Sequence, residues 1–406
     1  MPTIAHKIEL QPNNVQSTYF SKACGTARFA YNWGLAQWKK LYDAGERPYE
    51  SIIRKQLNAI KREQYPWMLE VTKCAVQLAI KEDLQTAFKK FFAKQASYPK
   101  FKKKGHKDSF HISNDQFDIK GDHIRIPNLG WVRMRESLRF IGKILSATIS
   151  RVANRWFVSI TVEADMINNA GNNENQATAG VDLGIKKFAV VSHNQQITEY
   201  AAIRPHKALL GRLQRCGKSL SRKIKGSKNR YKARLKLAKL HARVANIRND
   251  YIEKTTTELA NNYSQIAIED LNVSGMSKNH KLSKSILDMG FYRFRNRLET
   301  KLKARGKHLI LADRWYPSSK ICNCCNHKNV ELTLKDRIWV CPNCNVLHDR
   351  DANAAINLEK LAVSFIAHAS ETGVEACGAA SNGGTLSNQW STSYAVMKQE
   401  FNSKIG

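Results

Sequence analysis

The spacing of apolar and polar positions changes period several times along the chain, and each change marks an element. Residues 3–10 (TIAHKIEL) alternate weakly and stop before Pro12, which predicts a short strand. From about Ser17 the period becomes helical: Phe20, Cys24, Ala27, Tyr31, Leu35 and Trp38 recur at three- and four-residue steps until Gly45 and Pro48. Two further helices are expected over residues 49–63 and 70–95, separated by Tyr65-Pro66-Trp67. Residues 109–163 switch to a strand pattern, with hairpin turns at Lys120-Gly121-Asp122 and Ala153-Asn154. A lone first strand, a helical block and these later strands together predict a small β-barrel with helices inserted in it.

Residues 168–175 (NNAGNNEN) are polar and aperiodic, and read as a linker. Residues 178–191 then predict a strand, a tight turn at Gly184-Ile185-Lys186-Lys187 and a returning strand. Asp182 lies near the end of the first of these, between Val181 and Leu183, where a carboxylate is costly without a cation beside it. Leu209, Leu213, Cys216 and Leu220 form one helical stripe, and Leu237, Leu240, Val244, Ile247 and Tyr251 another, broken at Gly226-Ser227. Residues 264–271 (SQIAIEDL) predict a buried strand ending in Glu269 and Asp270. Residues 283–303 are helical, 307–312 a further strand, and Asp349-Arg350-Asp351 leads into a helix at Ala352. Beyond Leu361 the pattern decays, and residues 370–406 read as a mobile tail.

Charge narrows the function. In 406 residues there are 66 Lys plus Arg against 34 Asp plus Glu, a net of +32, which calls for a polyanionic partner. Between Lys207 and Arg248 stand fifteen Lys or Arg and no Asp or Glu, so the helical hairpin there presents a cationic face suited to nucleic acid. The Tyr98–Gly105 loop (YPKFKKKG) is either a solvated linker or a phosphate-contacting loop. No apolar run of about 18 residues and no signal-peptide pattern is seen, so a soluble, intracellular protein is expected. The length predicts two or three domains.

Of nine cysteines, five cluster between Cys322 and Cys344, while Cys24, Cys74, Cys216 and Cys377 are scattered and read as buried thiols. Cys322-Asn323-Cys324-Cys325 and Cys341-Pro342-Asn343-Cys344 are separated by fifteen residues, the spacing of a four-cysteine zinc ribbon. Cys322 and Cys325 give the usual two-residue gap and leave Cys324 spare; His327 and His348 read as ordinary surface residues, with a place as fourth ligand the alternative. Residues 329–334 and 337–340 are expected to pair as the ribbon's hairpin. Four thiolates close the coordination shell, so Zn²⁺ here would be structural.

Asp182, Glu269 and Asp351 share a setting at strand ends or a helix start. Either they are caps and salt-bridge partners, or they converge on hard divalent cations such as a pair of Mg²⁺ ions. The sequence motifs go further. Gly180-Val181-Asp182-Leu183-Gly184-Ile185-Lys186, Ile268-Glu269-Asp270-Leu271, Tyr316-Pro317-Ser318-Ser319-Lys320 and Cys341-Pro342-Asn343-Cys344 followed by His348-Asp349-Arg350-Asp351-Ala352-Asn353-Ala354-Ala355 resemble the TnpB (OrfB) family of insertion sequences, relatives of the type V CRISPR effectors. The resemblance extends to Gly25–Asn32 (GTARFAYN) and Pro99–Lys104, and covers nearly the whole chain.

The resemblance implies an α/β fold plus a β-barrel: an RNase H-like RuvC nuclease domain (179–315 and 347–369) interrupted by a zinc ribbon (316–346). A wedge-type β domain (1–12 and 106–166) would carry a helical recognition insert and basic loop (13–105), with a linker at 167–178. It assigns the catalytic, Mg²⁺-binding triad to Asp182, Glu269 and Asp351, and zinc to Cys322, Cys325, Cys341 and Cys344. It further implies a monomer on one transposon-derived guide RNA, cutting duplex DNA beside a short transposon-associated motif. Other readings are a guide-dependent regulator that does not cut, a type V CRISPR effector, and a transposase joining strands without a guide. The acidic triad is intact, unlike that of nuclease-dead relatives of the family.

Overall fold

A computed structural model describes residues 3–163, 177–333 and 335–371. The expected tail (370–406) and linker (167–178) lie almost wholly outside the described residues, as does Cys377. By compactness the chain divides into two units, residues 1–167 with 213–243, and residues 168–212 with 244–406.

The first unit opens with β1 (Thr3–Leu10) and the 30-residue α1 (Asn14–Asp43). Asn13 starts α1 by a reciprocal capping box with Gln16. α2 (Glu50–Gln64) follows. The helix expected over 70–95 runs unbroken from Lys73 to Phe92, as α3 (Lys73–Leu78), a π-helical turn (Ala79–Leu84) and α4 (Gln85–Phe92). The strands are β2 (Ser109–Ser113), β3 (Asp118–Lys120), β4 (His123–Ile126), β5 (Gly130–Arg133), β6 (Lys143–Val152) and β7 (Arg155–Glu163). They form a four-stranded antiparallel sheet, β1-β7-β6-β2, and a three-stranded one, β3-β4-β5.

The expected barrel is not closed. Among the described residues no ladder joins β1 to β2, and the small sheet meets β1 only around the Leu10–Met134 bridge. The physical reason is length: strands of three and four residues reach only the end of an eight-residue edge. Phe20, Ala23 and Ala27 of α1 share one core with Phe110 and Ile112 of β2 and Val158 and Ile160 of β7.

The second unit is built on β8 (Thr178–Leu183), β9 (Lys187–His193), β10 (Gln196–Ala201), β11 (Gln265–Glu269) and β12 (His308–Ala312). Their order is β10-β9-β8-β11-β12, antiparallel through the first three and parallel from β8 to β12. This mixed sheet, with helices flanking it, is the α/β part of the fold that the resemblance implied. β10 was not anticipated, because nearly all of it faces solvent and it lacks an apolar rhythm.

Between β10 and β11 run α5 (Pro205–Ser221) and the 35-residue α6 (Lys228–Asn262). After β11 come α7 (Val273–Met276), α8 (Ser283–Met289) and α9 (Phe291–Lys303). The single helix expected over 283–303 breaks at Gly290, whose φ of +74° is left-handed. Ile252 and Leu259 of α6 pack with Phe294 and Leu298 of α9 against Val181 and Ile268. β13 (Ile338–Val340), β14 (Leu347–Asp349) and α10 (Arg350–Glu371) complete the unit. Leu358 and Ala362 of α10 cover the other side of the sheet with Ala267 and Ile310. Among the described residues of 329–334 none pairs with 337–340; β13 pairs with β14 instead. No helix among the described residues is long and apolar enough to cross a membrane.

Candidate carboxylate centre, cysteine cluster and basic surfaces

β8 and β11 run parallel, with Val181 opposite Ile268 as the last registered pair. Asp182 and Glu269 are the next residues on each, so the register delivers two carboxylates to the same end of adjacent strands. That is the end where open α/β sheets place their chemistry. Asp351 arrives from the first turn of α10, one helical turn before Ala355, which lies against Gly180 of β8. Asp349 caps the helix by accepting from the Asp351 and Ala352 amides at 3.0 and 2.9 Å.

Asp182 lies within electrostatic reach of the other two. Burial drives the Asp182 carboxyl well above its ordinary range; the Glu269 and Asp351 charges add to this, and Arg350 and Arg337 oppose it. Burial also raises Glu269, against a hydrogen bond from Ser318 and the charge of Arg350. Arg337 Nη1 reaches Asp351 Oδ1 at 3.1 Å. A buried carboxylate with two further carboxylates beside it is a donor set that hard divalent cations take. The carboxylate oxygens do not form a group lying within 4.8 Å of one another, as the cysteine thiols do.

Asp182, Glu269 and Asp351 are thus brought together from over 80 residues apart. Arg337, Asn353 and Asn357 also gather here, and no local sequence signal marks them. Asn353 lies inside one of the family motifs, but nothing in its spacing indicates what its amide binds.

The cysteine cluster is built from two matching knuckles. Cys322 N–H donates to His327 O and Asn326 N–H to Cys322 O; Cys341 N–H donates to Val346 O and Asn345 N–H to Cys341 O. Asn326 and Asn345 take left-handed φ of +61° and +55°, which asparagine tolerates. The turns bring Cys322 Sγ to 3.6 Å from Cys344 Sγ, and Cys325 Sγ to 3.6 Å from Cys341 Sγ. Tetrahedral zinc with Zn–S bonds of about 2.3 Å needs thiolates roughly 3.8 Å apart. The four thiols therefore fit that ion. Cys324 is exposed, though it falls in a second group with Cys322 and His348. His348 is buried, with Nε2 3.1 Å from Cys322 Sγ, and only the backbone of His327 joins its knuckle. The Cys325 thiol is pulled down to about 6 by the Asn343 side chain and the His327 backbone, while burial pushes Cys322 up to about 12.

The basic hairpin forms, but not every cation in it is free. Arg230 Nη1 closes the turn by donating to Leu220 O and Lys223 O at 3.0 and 2.7 Å. Arg248 pairs with buried Asp288 at 2.9 Å, and Asp288 also accepts from the His206 and Lys207 amides at the start of α5. Arg212, Arg215, Lys218, Arg222 and Lys232 stay exposed. Leu213, Leu240 and Val244 are buried as expected, whereas Ile247 is exposed. In the 98–105 loop Lys102 is an anchor: its Nζ sits 2.6 Å from Asp83 and over the Tyr31 ring, and Asn32 holds its backbone. Phe101, Lys103 and Lys104 remain exposed. Of the scattered cysteines, Cys24 and Cys74 are buried and Cys216 is half-buried.

Comparison with known proteins matches this arrangement to a family. Residues 158–280 match the OrfB family of IS605-type elements, described as "Probable transposase". Residues 291–358 match "Cas12f1-like, TNB domain" and residues 1–47 "Helix-turn-helix domain", although the structure over that stretch is one strand and one long helix. The chain is 34% identical over 378 residues to a "Putative RNA-guided DNA endonuclease" of Streptomyces pristinaespiralis, covering 91% of each chain. It is 31% identical over 372 residues to "Putative RNA-guided DNA endonuclease InsQ" of Escherichia coli (strain K12), covering 87% of this chain and 91% of the relative. The fold is similar to that in "Cryo-EM structure of the Cas12f1-sgRNA-target DNA complex" (TM-score 0.54, 16% identity, 86% of this chain and 83% of the other). With a third of its residues shared across nine-tenths of such a relative, this chain belongs to the TnpB (OrfB) family.

Proposed function

We propose that the protein is an RNA-guided DNA endonuclease of an insertion sequence, cutting duplex DNA beside a short transposon-associated motif. The observation that carries the reading is the meeting of Asp182, Glu269 and Asp351 from β8, β11 and α10, with Glu269 and Asp351 both raising the Asp182 carboxyl. In this reading the three carboxylates hold Mg²⁺, two ions in all, and are the catalytic residues. Such ions supply activation of the attacking water and stabilisation of the leaving 3′ oxygen in phosphodiester hydrolysis. Arg350 and Arg337 offset the carboxylates' charge, which lets an anionic phosphodiester approach.

Cys322, Cys325, Cys341 and Cys344 hold a structural Zn²⁺ in a ribbon over residues 316–346. Residues 179–315 and 347–369 form the RuvC-type nuclease domain. Residues 1–12 and 106–166 act as the wedge, open rather than closed, and 13–105 as the recognition insert. The net charge of +32 and the exposed cations of α5 and α6 suit a monomer in the cytosol that holds one guide RNA and its DNA heteroduplex.

The test uses protein purified with its co-expressed RNA. Sequencing that RNA should reveal one discrete species ending in a variable segment. Asp182→Ala should bind the RNA undiminished and leave matched duplex DNA uncut; undiminished cutting would sink the assignment. A regulator that only binds would fail to cut even as wild type with Mg²⁺ present.

A further inference from the structure

Ser318 is the partner of Glu269, and the way it is held suggests why. The residue is 2% exposed, and its hydroxyl donates a hydrogen bond to Glu269 Oε1. Among the described residues no hydrogen bond occupies Glu269 Oε2, so the carboxylate is anchored through one oxygen and open at the other.

Ser318 does not sit on a strand or helix that would fix it. It belongs to the turn between β12 and Cys322, whose backbone bonds are Tyr316 N–H to Asp313 O, Ser318 N–H to Tyr316 O, Lys320 and Ile321 N–H to Pro317 O, and Asn329 N–H to Lys320 O. What holds the turn is α10. Asn357 Nδ2 donates to Ser318 O at 2.8 Å and to Ile321 O at 2.7 Å. Asn353 Nδ2 donates to Ile321 O at 2.7 Å and, more weakly, to Ser318 O at 3.4 Å, while its Oδ1 accepts from Asn323 N–H at 2.9 Å. Both asparagines are at most 2% exposed and stand one turn apart on α10, the helix whose first turn carries Asp351.

We infer that Ser318 is a positioning residue for the metal-binding carboxylate Glu269, and that Asn353 and Asn357 hold it in place. The inference rests on the assignment of Glu269 to the metal centre. Its content is that α10 delivers one ligand directly, as Asp351, and orients a second indirectly, through Asn357, Ser318 and Glu269. The same clamp grips Ile321 and Asn323 on either side of Cys322, so the cysteine cluster and the carboxylate centre share one frame. Groups that orient metal ligands in this way are commonly worth 10–100-fold in metal affinity or activity.

The experiment measures Mn²⁺ binding calorimetrically on the purified full-length, zinc-containing chain stripped of RNA, and cleavage as a function of Mg²⁺ with the RNA restored. Ser318→Ala should weaken Mn²⁺ binding and raise the half-saturating Mg²⁺ by about tenfold or more. Its zinc content and melting temperature should stay near wild type. Ser318→Thr, which keeps a hydroxyl, should recover most of the loss. Asn357→Ala should shift the metal dependence in the same direction, and combining it with Ser318→Ala should add little, because the two act through one contact.

Mn²⁺ affinity and half-saturating Mg²⁺ within twofold of wild type in Ser318→Ala, while Glu269→Gln abolishes cleavage, would overturn the positioning role and leave the triad standing. Activity lost together with zinc, or lost with unchanged metal dependence, would overturn it in favour of a purely structural serine. Cleavage retained by Glu269→Gln would overturn the triad and this inference with it.

Discussion

Gly180 of β8 lies directly beneath Ala355 of α10: a Cβ on Gly180 would stand 2.1 Å from the Ala355 carbonyl oxygen and 2.2 Å from the Glu359 amide nitrogen. Both neighbours are helix backbone and cannot swing aside. The contact sets the height of α10 over the sheet, and so the height of Asp351 one turn earlier. Glu359 fastens the same helix to the β9–β10 turn, accepting from the Ser192 hydroxyl and the Asn194 amide at 2.5 Å each. Gly180→Ala is therefore expected to destabilise the protein by about 3 kcal/mol or more, at the upper end for an added methyl in a packed site. Denaturant melts would measure it, and cleavage should fall in the fraction that still folds.

The Asp182 carboxyl is raised by burial and by its two acidic neighbours, so the folded state holds its proton more tightly than the unfolded chain does. For the metal-free protein this contribution is fully present below the ordinary carboxylate range and is lost as pH rises through the raised folded value. Asp182→Asn should remove that loss. Across the window the wild-type stability should fall relative to the variant by up to about 1.4 kcal/mol per pH unit. Parallel stability–pH curves in the presence of chelator would contradict this, and added Mg²⁺ should stabilise the wild type more than the variant at neutral pH.

Asp288 is 3% exposed and serves two partners, the first amides of α5 and the Arg248 guanidinium. Asp288→Ala strands a half-buried cation and uncaps a helix, and is expected to cost about 3 kcal/mol. Chemical denaturation of the variant, with Arg248→Met as the paired control, checks it; the double variant should be less damaged than the sum of the two.

One zinc per chain is expected, removed with local unfolding by Cys341→Ser and kept by Cys324→Ser. The second follows from the exposed position of Cys324 outside the four-thiol cluster. Metal analysis of the two variants separates this arrangement from one that uses Cys324 and His348.

Reversing Arg215, Lys218 and Arg222 to Glu should weaken nucleic-acid binding at low salt and flatten its salt dependence, by roughly 0.7–0.9 in log–log slope for each phosphate that is no longer neutralised. Arg230→Glu should instead lower stability, because that side chain closes the turn between α5 and α6. Unchanged affinity across salt in the triple variant would mark the face as merely solvated.

Much of this was legible in the sequence, because the signals were local. Continuous apolar runs announced β8 and β11, strands buried on both faces, and the three-and-four spacing announced α1 and α6. The cysteine spacings placed both knuckles, and the family motifs singled out Asp182, Glu269 and Asp351. What the chain order could not settle depended on contacts distant in sequence. Whether the N-terminal strands close a barrel turns on the pairing of short edges, which periodicity does not encode. The partner of β13 proved to be β14, since the knuckle turns, more than the apolar pattern of 329–334, set which segments lie side by side. Lys102, Arg230 and Arg248 looked like members of a free cationic surface until Asp83, two backbone carbonyls and Asp288 claimed them. Ser318, Asn353 and Asn357 were ordinary polar letters, because a hydroxyl or an amide gains its meaning from the buried acceptor it finds. The sequence by itself determined which acidic and thiol groups could serve as ligands; only the tertiary structure decided that register, the Gly180–Ala355 contact and the asparagine clamp would bring the acidic groups to one place.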